Sequence, residues 1–187
     1  KFYEKSNAFA LFPTTENKFF TYDELIKKIK KNHKDKDDKT VILYSSNIQE
    51  QDSYIKEANK KGYTVLLLDS PIASHLIQKL ETTKEKISFA RVDSDAIDNL
   101  IKKDEKSISK LSEKEQEKLK EQIEEVVAKD KYSVQLEAMD SESLPFMITQ
   151  PEFMRRMKDM QNAGGTSMFG NMPEMYNLVV NTNNQLV

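Results

Sequence analysis

Four apolar residues in unbroken succession, Val65-Leu66-Leu67-Leu68, set the tightest limit on what this chain can fold into. A strand with one wet face alternates apolar and polar side chains. A strand without that alternation is covered on both faces, as parallel strands are between layers of helices. The flanking sequence agrees. Val41 to Tyr44 is a second short apolar run, and an amphipathic helix is predicted around Gln51 to Lys61, ended by Gly62, where a positive φ costs little. Ser70 and Pro71 stand in cap and first-turn order for a further helix, with Ile72, Leu76, Ile77 and Leu80 inward, and Ile87 to Val92 supplies a third strand. The run spells β-α-β-α-β with right-handed crossovers, a small three-layer α/β/α domain with parallel strands. Ahead of it lie an aromatic stretch from Phe9 to Phe20 and a capping box, Thr21-Tyr22-Asp23-Glu24, opening a helix with Tyr22, Leu25, Ile26 and Ile29 on one face. Lys30 to Lys39, dense in Lys and Asp, reads as a solvated loop.

From Asp93 the pattern changes. A short helix to Ile101 and a charged connector, Lys102 to Lys110, precede a second capping box at Ser112 and Glu115. Leu119, Ile123, Val126 and Val127 then form the apolar stripe of one long amphipathic helix. The period becomes two over Tyr132, Val134, Leu136 and Ala138, with further strand candidates at Pro145 to Ile148 and Leu178 to Val180. This predicts a half-exposed antiparallel sheet backed by the long helix. The expected organisation is α+β overall: 1–92 an α/β unit, 93–110 a connector, 111–187 an α+β domain. The chain opens on Lys1 and stops at Val187 in what reads as a turn, so it is taken as a piece of a longer protein.

Thr149-Gln150-Pro151-Glu152 predicts the start of a helix with Phe153, Met154, Met157 and Met160 on one side and Arg155, Arg156, Lys158 and Asp159 largely on the other. Asn162-Ala163-Gly164-Gly165 interrupts it, and Met168, Phe169, Met172 and Met175 follow. Six of the eight methionines and three of the four glycines fall between Met154 and Met175. Methionine packs against many shapes and glycine lets its carrier move, so the segment suits binding of varied partners. The plain alternative is that these methionines fill the core of the second domain. Exposure of Met154, Met157 and Met160 separates the two readings.

Other chemistry has little to stand on. The chain has no cysteine and two histidines, His33 and His75, too few for a zinc site, and His75 reads as a helix-surface residue. A net charge of -2 gives no field for nucleic acid, and Arg155, Arg156 and Lys158 read as a polar helix face. No apolar run can span a bilayer and the N-terminal residues do not show a signal-peptide pattern, which makes a cytoplasmic location the expectation. The enzyme alternative places magnesium on Asp69, Asp93 and Asp95 at the ends of parallel strands for phosphoryl transfer. Those residues equally suit helix caps, no glycine-rich phosphate loop accompanies them, and Ser45-Ser46 reads as a cap rather than a nucleophile. A passive scaffold is the third possibility.

Several spaced segments carry a family resemblance: Tyr54-Ile55-Lys56-Glu57-Ala58, Lys61 to Asp69, Arg91-Val92-Asp93-Ser94, Ile148-Thr149-Gln150 with Phe153 to Met157, and Met172-Pro173 with Asn177 to Asn181. In this order they resemble the ninety-kilodalton heat-shock chaperones, over essentially the whole chain. The resemblance implies that residues 1–92 end a middle domain and that the remainder begins a C-terminal domain. It also implies a stress-response role in protein folding, with client contacts through Phe153, Met154, Met157, Met160, Met168 and Phe169. ATP and magnesium would be bound, and ATP hydrolysed, by a domain ahead of Lys1, and the helices that form the homodimer would follow Val187. The chain itself would then hold no catalytic, cofactor or metal site, and would take unfolded proteins as partners rather than nucleic acid or membrane.

Overall fold

The computed structural model describes residues 9–101, 107–157 and 175–187. The chain divides into two compact units, residues 1–92 with 99–102, and residues 93–98 with 103–187. Fold class is as the periodicities indicate: helices and both parallel and antiparallel strand pairs in an α+β chain.

In the first unit, β1 (Phe12–Pro13) and β2 (Phe19–Phe20) form a small hairpin before α1 (Tyr22–Ile29). The predicted capping box is present: the Glu24 amide donates to the Thr21 hydroxyl, and the Thr21 amide donates to the Glu24 carboxylate. Then come β3 (Thr40–Ser45), α2 (Asp52–Lys60), β4 (Val65–Leu67), α3 (Ala73–Thr83) and β5 (Ile87–Arg91). The sheet runs β4-β3-β5, parallel throughout. All six residues of the central β3 are buried, as an unbroken apolar run requires. Ile42 and Tyr44 enter a cluster with Tyr22, Leu25 and Ile29 of α1, Ala73, Ile77 and Leu80 of α3, and Leu66 and Phe89. Val41 and Leu43 point the other way and are equally dry. On the outer side of β4, Thr14 bridges Leu66 and the Thr15 amide donates to the Val65 carbonyl at 3.0 Å, so the hairpin covers an otherwise open edge.

Three local expectations are corrected here. The helix after β4 begins at Ala73 rather than Ser70; Ile72 is its uncapped boundary residue and is 67% exposed instead of inward. Ser45 and Ser46 do not cap a helix; the buried Gln51 side chain instead accepts from the Ser45 hydroxyl and from the Ser46 and Asn47 amides. Lys30 to Lys39 is not uniformly solvated, because His33 is fully buried. Its own amide donates to Ile29, its carbonyl accepts from the Val41 amide, and its ring is held at both nitrogens. The charges around His33 gave the segment its polar look, while the imidazole fastens it down.

Gly62 follows α2 with φ +77, the left-handed conformation predicted for it, and a Cβ there would meet nothing within 4 Å. Gly62→Ala should therefore cost backbone strain alone, about 1 kcal/mol, measurable as a small shift of the urea midpoint with an unchanged slope.

After the short α4 (Ile97–Leu100), α5 (Glu113–Val126) of the second unit opens with the Ser112–Glu115 capping box in both directions. The predicted stripe is only half covered: Leu119, Ile123 and Val127 are half-buried and Val126 is 84% exposed. The strands are β6 (Tyr132–Glu137), β7 (Phe146–Thr149) and β8 (Tyr176–Asn181), in the order β6-β8-β7. The β7–β8 pair is antiparallel as expected, whereas β6 and β8 run parallel, making the sheet mixed. The β6–β8 pairing joins strands separated in sequence by β7, a non-local relation that period-two alternation cannot reveal. The central β8 buries Val179 and Val180 on opposite faces.

Candidate functional site

The methionine-rich segment grows from the end of β7. That edge strand alternates: Met147 and Thr149 are buried, while Phe146 and Ile148 are 47% and 46% exposed. By register Phe146 pairs with Val180 and Ile148 with Leu178, so one sheet face carries Phe146, Ile148, Leu178 and Val180, together with Val134 and Leu136 of β6. The sequence reading identified the strand but not the wetness of Phe146 and Ile148. The polar-free run Phe146-Met147-Ile148 at a sheet edge was the available signal.

Residues 152–157 are helical. The predicted capping box at Thr149 and Glu152 does not form: the Thr149 hydroxyl is buried without a hydrogen-bond partner among the described residues, and the Glu152 carboxylate turns elsewhere. Its Oε1 accepts from Arg155 Nη2 at 2.6 Å and from Arg156 Nε at 2.7 Å. Burial alone would raise the Glu152 carboxyl, but the Arg155 and Arg156 guanidiniums together hold it below the ordinary carboxylate value. Arg155 is 5% exposed and Phe153 is 71% exposed. Arg155, expected among the solvated polar residues, lies inside, whereas Phe153 on the apolar side faces water.

Met154 and Met157 are half-buried and Met175 is 45% exposed, whereas Met139 and Met147, outside the segment, are 3% and 5% exposed and fill the core. Core filling thus accounts for the two methionines before the segment, while Met175 is open to water and Met154 and Met157 are intermediate. Met160, Met168 and Phe169, also expected to contact partners, lie outside the described residues.

The magnesium alternative finds no support. Asp95 accepts the amide of its neighbour Ala96. Among the described residues no group of three or more His, Asp or Glu could hold a metal ion. His75 is exposed on α3. No helix among the described residues is long and apolar enough to cross a membrane.

No family model matches the chain. It is 45% identical over 190 residues to the chaperone protein HtpG of Bacteroides thetaiotaomicron, 43% identical over 191 residues to that of Bacteroides fragilis, and 40% identical over 191 residues to that of Porphyromonas gingivalis. Each alignment takes in 100% of this chain, which spans 28% of the length of these curated relatives.

Proposed function

This chain belongs to the family of HtpG chaperone proteins, and from that premise we propose that it is a chaperone segment that binds partly folded client proteins through the apolar surface rooted at residues 152–157. One observation carries the reading: the helix turns Arg155 inward and leaves Phe153 71% exposed, the reverse of what a core-filling amphipathic helix does. Met154 and Met157 beside it, and Phe146 and Ile148 on β7, extend the apolar surface available to a client. Each large side chain buried by an incoming segment contributes on the order of 1.5 to 3 kcal/mol with little directional demand, which suits recognition of many sequences. Met160, Met168 and Phe169 complete the proposed client surface.

The wider proposal follows the family. Residues 1–92 form the end of a middle domain, 93–110 a connector and 111–187 the start of a C-terminal domain. The intact protein is a cytoplasmic, stress-induced homodimer, with ATP and magnesium bound by a separate N-terminal domain. This segment itself performs no catalysis and engages neither nucleic acid nor membrane.

The test is binding of a labelled, permanently unfolded polypeptide by fluorescence anisotropy. The triple variant Phe153→Ser, Met154→Ser, Met157→Ser should bind at least about tenfold more weakly, since losing about 1.4 kcal/mol already has that effect. Phe153→Ser alone should also weaken binding while keeping the thermal midpoint within a few degrees of the parent chain's, because a side chain 71% exposed contributes little to folding. Unchanged affinity would leave the scaffold reading standing.

A further inference from the structure

The helix that carries Phe153 is held at its root by charge, not by a conventional cap. Glu152 bonds two successive arginines from one carboxylate oxygen, and Arg155, 5% exposed, is the most deeply seated residue of residues 152–157. Just ahead of it the Gln150 amide donates to the Asp93 carbonyl at 3.1 Å, and the Arg155 amide donates to Pro151 to close the first turn. Thr149, which the sequence offers as the cap, is occupied as the last residue of β7 and keeps its hydroxyl out of the helix. A helix lacking a side-chain cap frays unless something else fixes its first turn. A buried guanidinium bonded to a carboxylate is costly to pull away from it, because the charges attract more strongly out of water.

We infer that Glu152 is a positioning residue for client binding: its clasp on Arg155 and Arg156 fixes how residues 152–157 leave β7, and so keeps the Phe153 ring in water instead of against the sheet. This rests on the proposed client role, since only that role makes the direction of Phe153 matter. Three and four residues beyond Glu152, the two arginines lie on the same helix face as its carboxylate, so one oxygen takes both and ties the first turn together. Glutamine at this position keeps the shape and the acceptor oxygen but loses the charge, whereas aspartate keeps the charge on a shorter arm.

The experiment uses the 187-residue chain and two readouts, anisotropy with a labelled unfolded polypeptide and hydrogen exchange of the amides of residues 155–157. Glu152→Gln is expected to speed exchange of those amides at least about tenfold and to weaken polypeptide binding severalfold, with exchange in β6 and β8 unchanged. Glu152→Asp is expected to restore most of both. Wild-type exchange and binding in the glutamine variant would overturn the inference, and so would loss of protection throughout β6 and β8, which marks a merely structural residue. Phe153→Ser separates this from the client role: if it leaves binding intact while Glu152→Gln still loosens the helix, the client reading fails and the clasp stands as an anchor alone.

Discussion

Replacing His33 with leucine should destabilise the first unit by about 3 kcal/mol, read as a drop in the free energy of urea unfolding at neutral pH. The imidazole is fully buried and used at both ends: Nε2 accepts the Thr64 amide at 3.1 Å, which obliges Nδ1 to carry the proton it donates to the Val41 carbonyl at 3.0 Å. Leucine matches the bulk but leaves the Thr64 amide without its acceptor, and it removes the ring that meets Tyr63 edge-on at 5.2 Å. The same arrangement predicts an acid response. Burial pushes the imidazole down from its ordinary 6.5 to about 4, aided by the nearby Lys28 ammonium and opposed by the bond to Val41. Protons therefore bind the unfolded chain more readily than the folded one between those values. The stabilisation is complete above about pH 6.5 and is lost as pH falls through about 4, a change on the order of 3 kcal/mol. Carboxylates add their own acid dependence, so the measurement is the difference between wild type and His33→Gln across pH 7 to 4. That difference should shrink as the histidine charges.

Asn183→Leu should be at least as damaging to the second unit, lowering its thermal midpoint by roughly 10 °C or more, since about 1 kcal/mol moves a unit of this size by several degrees. Asn183 is nearly buried and serves three main-chain groups. Its Nδ2 donates to the carbonyls of Ile108 and Met139, both at 3.1 Å, and its Oδ1 accepts the Lys110 amide at 2.8 Å. Asn181, 1% exposed, does the same next to it, accepting the Met139 amide and donating to the Asp140 carbonyl at 2.8 Å. Two amide side chains at the end of β8 thus satisfy backbone that no sheet ladder reaches, and each orphaned partner costs about 1 to 3 kcal/mol. Asn183→Asp discriminates between shape and donor chemistry. It preserves the bond from Lys110 but aims a carboxylate at two carbonyl oxygens, so it should be no better tolerated than leucine. Wild-type melting of the aspartate variant would show that the network contributes little.

Much of the scaffold was legible along the chain. Thr21 with Glu24 and Ser112 with Glu115 are local pairs, complete within four residues, and both formed as their spacing indicated. The unbroken apolar strands announced a parallel sheet because covering both faces leaves no position for a polar side chain. Gly62 was readable for the same local reason: its conformation depends on its own missing Cβ. The functional segment was readable in composition but not in orientation. Methionine and glycine counts located it, yet periodicity put Arg155 on the wet face, and the structure buries it.

What the sequence by itself determined is most of the elements, the two capping boxes at Thr21 and Ser112, and the apolar character of the segment after β7, all consequences of neighbours within a turn or two. Tertiary structure alone decided that β6 runs parallel to β8, that His33 and Asn183 lie in dry interior, and that Phe153 rather than Arg155 meets water. The physical reason is the reach of the partners. A polar side chain enters a core only when groups there accept its hydrogen bonds, and those groups stand 31 residues away for His33 and Thr64 and 75 for Asn183 and Ile108, beyond anything a periodicity can register.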